Sequence, residues 1–124
     1  MTSTIIGTEG PDDLIGSSDV LVAELIFGLG GSDTIEGNGG QDSLFGGLDT
    51  DFLVGSNSNE WLFGGQGGDS LSAGGGADVV FGDIGNDNIR GGVNRIPSLA
   101  MQARILSQVR MALIVCMAVK GMTV

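Results

Sequence analysis

The sequence predicts an all-β chain: a parallel solenoid with two nine-residue blocks per turn, followed by a short C-terminal helical or irregular tail. Three observations carry this reading. An acid-x-aliphatic ending returns every nine residues, a phenylalanine returns every eighteen, and the composition changes abruptly near residue 90.

The central array is the clearest element. In blocks of nine, residues 28–90 read GLGGSDTIE, GNGGQDSLF, GGLDTDFLV, GSNSNEWLF, GGQGGDSLS, AGGGADVVF and GDIGNDNIR, without an insertion. The sixth position is Asp33, Asp42, Asp51, Glu60, Asp69, Asp78 and Asp87, and the eighth is Ile35, Leu44, Leu53, Leu62, Leu71, Val80 and Ile89. In each block the glycine-rich part predicts a bend, and the three residues after the acid predict a short strand with its middle aliphatic pointing inward.

Two degenerate blocks precede the array, giving repeats over residues 7–27. GTEGPDDLI (Gly7 to Ile15) fits the template with Asp12 sixth and Leu14 eighth, three residues out of phase with the main array. Gly16 to Phe27 reads as one block with an insertion that ends in Glu24, Leu25, Ile26 and Phe27.

Phe27, Phe45, Phe63 and Phe81 are 18 residues apart, whereas the ninth positions between them are Glu36, Val54, Ser72 and Arg90. Alternate blocks therefore share an environment, as expected if odd and even blocks form opposite walls. The Phe column follows the inward position by one residue, so it falls on an outer face, either as a stacked ladder covering its own sheet or as a docking surface. Phe52 and Trp61 face outwards too.

These blocks resemble the RTX (repeats-in-toxin) calcium-binding nonapeptide GGxGxDxUx, of hemolysin type, over residues 5 to 92. The resemblance implies a right-handed parallel β-roll that binds several Ca2+ ions. It also implies export without a cleaved signal through type I secretion machinery to an extracellular setting.

The chemistry agrees with the motif. Calcium takes six to eight hard oxygens, glycine bends can turn several carbonyls to one point, and an acid at the end of each bend adds a charged ligand. With two blocks per turn, the ligands of one ion come from blocks n and n+2. Wall one then pairs Asp33 with Asp51, Asp51 with Asp69 and Asp69 with Asp87. Wall two pairs Glu24 with Asp42, Asp42 with Glu60 and Glu60 with Asp78. Glutamate is longer, and the GSNSN bend before Glu60 lacks glycines at positions two and four, so stronger occupancy is expected on wall one. Asn57 and Asn59 are expected to substitute there as residues tolerant of left-handed geometry. Glu9, Asp13, Asp19, Glu36, Asp49 and Asp83 fall off the sixth position and read as solubilising charge. Since one column of eight aliphatics must order a glycine-rich, acid-stacked chain, the metal-free chain is expected to be disordered.

The tail, residues 93–124, is different material from the β-roll of 1–92. All fifteen acids lie at or before Asp87 and all five bases at or after Arg90, for a net charge of -10. Ser98 after Pro97 can start a helix with Leu99, Ala103, Leu106, Leu113 and Met117 near one face. Such a segment reads as a cap on the open end of the solenoid, as a secretion signal suggested by the resemblance, or as a piece not native to the array. Cys116 reads as a small core residue.

Composition also excludes function classes. No histidine is present, so Ser/His and Cys/His nucleophile pairs and zincin motifs are absent. Only about six residues precede the first repeat, so no catalytic domain is expected. The acidic balance argues against nucleic acid, and no run of 18 apolar residues predicts a membrane span. The competing readings are a solvated low-complexity linker, which has no reason to keep a ninefold aliphatic, and an adhesive or surface-assembly module that self-associates through the Phe/Trp face and the tail.

Overall fold

The structure is a computed structural model, and it describes residues 1–91. Ten strands follow one another: β1 (Thr2–Ile6), β2 (Asp13–Ile15), β3 (Ala23–Leu29), β4 (Thr34–Glu36), β5 (Ser43–Leu48), β6 (Phe52–Val54), β7 (Trp61–Gln66), β8 (Ser70–Ser72), β9 (Val79–Ile84) and β10 (Asn88–Arg90). Odd strands form one five-stranded sheet in the order β1-β3-β5-β7-β9, and even strands form the other, β10-β8-β6-β4-β2. Every pairing is parallel. Each turn of chain thus contributes one strand to each sheet, which is the five-turn, two-blocks-per-turn solenoid that the period predicts.

Register follows the period residue for residue. Ile35 pairs with Leu53 and Leu53 with Leu71 in the even sheet, while Ile26, Leu44, Leu62 and Val80 align in the odd sheet. The inward column, from Ile26 to Ile89, is 0 to 1% exposed. Ala73 joins it, and Ile5 and Leu14 pack against it from the first turn. A one-residue slip would put this whole column into water, so the burial itself locks the register.

The out-of-phase first block also fits. Leu14 pairs with Ile35 across 21 residues, and the three extra residues are taken up in the bend between β2 and β3. β1 is an addition to the sequence reading: it pairs with β3 so that Ser3 stands opposite Glu24. Serine stands at its acid position, so the ninefold acid pattern does not mark this strand.

A second difference concerns strand length. The even strands have the expected three residues, but β5, β7 and β9 have six, extending past the Phe into the next block. Leu29, Gly47, Gly65 and Asp83 stay in pairing register there, so the bends that follow are short.

The phenylalanine column is a stacked ladder on the outer face of the odd sheet. Ring centroids are 4.7 Å apart for Phe27–Phe45, 4.8 Å for Phe45–Phe63 and 5.2 Å for Phe63–Phe81, with planes within 10°. The spacing is that of neighbouring strands, so parallel in-register pairing imposes the stack. Trp61 adjoins it, 6.2 Å from Phe63. The predicted helix from Ser98, the cap and Cys116 lie outside the described residues.

Candidate metal centre

The bends between the sheets carry the acids in two rows. Asp12, Asp33, Asp51, Asp69 and Asp87 precede the even strands, whereas Glu24, Asp42, Glu60 and Asp78 precede the next odd strands or open one. Eight of these nine are buried, from Asp42, Glu60 and Asp78 at 0% to Asp87 at 8% exposed. Buried carboxylates need partners, and the turn above supplies one.

The amide of Asp33 donates to Asp51 Oδ1, that of Asp51 to Asp69 Oδ1 and that of Asp69 to Asp87 Oδ1, at 2.9 to 3.0 Å. Asp12 donates likewise to Asp33, Glu24 to Asp42 and Glu60 to Asp78. The carbonyls bond too, since Phe52 N–H donates to Asp33 O and Ser70 N–H to Asp51 O. Asp33, Asp51 and Asp69 are therefore each fixed at three atoms by the adjoining turns.

In six of the nine acids the second oxygen is left over. The Oδ2 atoms of Asp33, Asp42, Asp51, Asp69, Asp78 and Asp87 are buried without a hydrogen-bond donor. A buried, unpaired carboxylate oxygen is expensive unless a cation or a proton meets it.

Electrostatics carry the same strain. Burial pushes the Asp69 carboxyl up to about 7, the amide of Asp51 pulls it back, and the charges of Asp87, Asp51 and Asp83 push it up again. Asp42, Asp51 and Asp78 are pushed to about 6, mainly by burial and then by neighbouring acids on the same wall. Asp33 and Asp87 are raised for the same first reason. Asp49 raises both Asp33 and Asp51, and Asp83 raises both Asp69 and Asp87. These two acids belong to the electrostatics of wall one and are more than solubilising charge. The signal in the sequence was their position, where neighbouring blocks have glycine.

Carbonyls converge on the free oxygens. The point that a Cβ on Gly64 would occupy lies 2.5 Å from Asp69 Oδ2 and 2.8 Å from the Gly82 carbonyl oxygen of the next turn. Only a glycine leaves that space open. Among the described residues no group of three or more acidic side chains converges, so any donor set here combines carboxylates from stacked turns with backbone carbonyls. Such an all-oxygen, anionic, flexible set suits a hard divalent cation of calcium's size.

One expectation is overturned. Asn57 and Asn59 do not take up left-handed geometry; Asn38 does, at φ 62°. In the Gly55–Glu60 bend the hydroxyl of Ser56 donates to Glu60 Oε1 at 2.6 Å, its amide donates to Oε2 at 3.1 Å, and its Oγ accepts from Ser58 N–H. These local bonds hold the bend in another conformation, and Asn59 instead accepts the amide of Ala77.

A family model described as the RTX calcium-binding nonapeptide repeat, with four copies, matches residues 23–53 and 54–92, more than half of the chain. No curated protein and no solved structure matches the chain in the parallel comparisons.

Proposed function

The chain belongs to the RTX calcium-binding nonapeptide repeat family, and on that premise we propose that it binds calcium so as to fold. Binding of Ca2+ is what the repeats do. The observation that carries the coupling to folding is the set of six buried Asp Oδ2 atoms without a donor. Asp33, Asp51, Asp69 and Asp87 would hold the ions on wall one, and Asp42 and Asp78 on wall two, with the carbonyls of Gly46, Gly64 and Gly82 adding to Asp33, Asp51 and Asp69. Asp12 and Glu60 complete the two rows but have oxygens already engaged by Thr8 and Ser56.

Calcium, when bound, supplies the positive charge that these rows lack. The chain's own part is geometric. Amide-to-Oδ1 bonds aim each carboxylate, glycines keep the carbonyl approach open, and the aliphatic column sets the spacing between turns. Without the cation, stacked buried acids oppose the small apolar gain of one core column, and the glycine-rich chain loses much entropy on ordering. A ligand that binds only the folded chain stabilises it by RT ln(1 + [L]/Kd), so folding reads out calcium concentration.

Millimolar calcium outside cells fits extracellular modules with Kd of about 10⁻⁴ to 10⁻³ M. We therefore favour a secreted role, with the chain exported unfolded through type I machinery and folding on arrival. The boundary is taken at residue 92, with 93–124 acting as a cap or as an export signal. Amide hydrogen exchange over residues 28–90 tests the coupling: protection is expected in calcium and near-complete loss of it in chelator. Equal protection in both would refute it.

A second reading has one specific observation behind it. The outer face of the odd sheet presents Ile6, Leu25, Leu29 and Trp61 to solvent around the Phe ladder. An adhesive or surface-assembly role would use this face, and a calcium-dependent rise in mass by light scattering would favour it.

A further inference from the structure

The nine acid-bearing bends fall into two conformations, and the residue at the second position of the block separates them without exception. In three bends that residue is a hydroxyl amino acid: Thr8, Ser17 or Ser56. None of the three has positive φ, and each donates its backbone N–H to the carboxylate that ends its own bend. Thr8 reaches Asp12 Oδ2 through its amide at 2.5 Å and its hydroxyl at 3.0 Å. Ser17 reaches Glu24 Oε2 at 2.6 Å. Ser56 reaches Glu60 with both groups.

In the other six bends the second residue is Leu29, Asn38, Gly47, Gly65, Gly74 or Asp83, and all six have φ between 62° and 119°. Their acids, taken in the same order, are the six whose Oδ2 is buried and without a donor. The match between left-handed second residue and unpartnered oxygen is one to one.

The cause is a competition at a single residue. A Ser or Thr hydroxyl can bond to its own bend and favours the turn that does so, and a β-branched threonine is a poor occupant of the left-handed region. Leucine, asparagine, aspartate and glycine offer no such hydroxyl, and the second residue turns the other way. The close carbonyl approach found beside Asp33, Asp51 and Asp69 in open bends is present in the closed ones too. A Cβ on Gly7 would lie 2.6 Å from Asp12 Oδ2 and 2.7 Å from Gly28 O, much as at Gly64. Two of the three closed bends also end in glutamate, and the one at Ser17 is three residues longer, but the Thr8 bend has the ordinary length and an aspartate, and it shares with the other two the hydroxyl residue at the second position.

We propose that the second residue of each block is a switch for metal binding: a hydroxyl amino acid there satisfies the acid internally and closes the bend to calcium, and any other residue leaves it open. The array then has six open bends and three closed ones. Wall one is open from Asp33 to Asp87, and closed bends alternate with open ones on wall two. The closed bends are held by protein hydrogen bonds and need no ion, so they keep the solenoid continuous where the open ones depend on calcium. This rests on the calcium-binding reading above.

The test counts ions. Calcium bound per chain at saturation is measured by equilibrium dialysis and by native mass spectrometry for the full chain and for Thr8→Gly, Ser56→Gly and Asn38→Ser, with circular dichroism confirming β structure. Thr8→Gly and Ser56→Gly are expected to bind about one ion more than the parent, and Asn38→Ser about one fewer. If Asn38→Ser does not fold, the two glycine variants decide. Unchanged counts in the variants that fold would overturn the switch while leaving calcium binding intact. A parent chain that binds no calcium would overturn the underlying reading, and the switch with it.

Discussion

The backbone amide of Asp51 donates to Oδ1 of Asp69 across one turn at 2.9 Å, while Oδ2 of the same Asp69 has no donor. One oxygen is used to align the turns and the other is left for a cation. This division of labour repeats along both walls, and most of the expected behaviour comes from it.

Asp69→Asn keeps an acceptor for the Asp51 amide but removes the charge. Calcium affinity is expected to fall by about tenfold or more, because ligand charge tunes such sites. In chelator the same variant should show more β structure than the parent, since a buried charge is gone. Calcium titration calorimetry and circular dichroism read the two opposite signs.

Acidity should act oppositely with and without the metal. Folded-state values near 6 for Asp51 and about 7 for Asp69 lie above the ordinary 3.8. The metal-free fold is therefore most favoured below about pH 4 and loses that advantage as pH rises through 6 to 7. With calcium, protons compete for the same oxygens, so the calcium midpoint should rise as pH falls from 7 to 5. Circular dichroism over a grid of pH and calcium checks both trends.

Leu62→Ala removes a side chain with no exposed surface from the middle of the inward column. A loss of about 2 to 5 kcal/mol in the calcium-saturated state is expected, because a column one residue wide cannot collapse around the gap. Urea unfolding in excess calcium measures it.

Phe45 stacks on both Phe27 and Phe63, whereas Phe52 stands 49% exposed on the opposite sheet. Phe45→Ala should cost about 3 kcal/mol or more through lost burial and two ring contacts. Phe52→Ser should cost about 0.5 kcal/mol or less. Thermal melts of the two variants in calcium give the contrast.

Much of this was legible in the sequence for a physical reason. Parallel in-register stacking repeats one environment every 18 residues, so Leu53 and Leu71, or Asp51 and Asp69, had to meet. The period shows which residues share a row, and their apolar or acidic character shows which row faces inward. Exceptions were harder to see. β1 was hidden because Ser3 has no acid to mark it, and the length of the odd strands depends on backbone pairing through Gly47 and Gly65. Left-handed geometry was expected at Asn57 and Asn59 from residue type alone, yet it is found at Asn38. The hydroxyl of Ser56, bonded to Glu60, outweighs what its neighbours would otherwise prefer.

The most direct test of calcium-coupled folding is far-UV circular dichroism of the full chain through a calcium titration, with magnesium in parallel. Magnesium demands near-ideal octahedral geometry and gives up its water reluctantly, so this flexible carbonyl and carboxylate set should discriminate against it. The expected result is a cooperative change from coil to β structure with calcium alone, complete by a few millimolar. A chain already β-structured in chelator at neutral pH, or one that stays coil at several millimolar calcium, would contradict it.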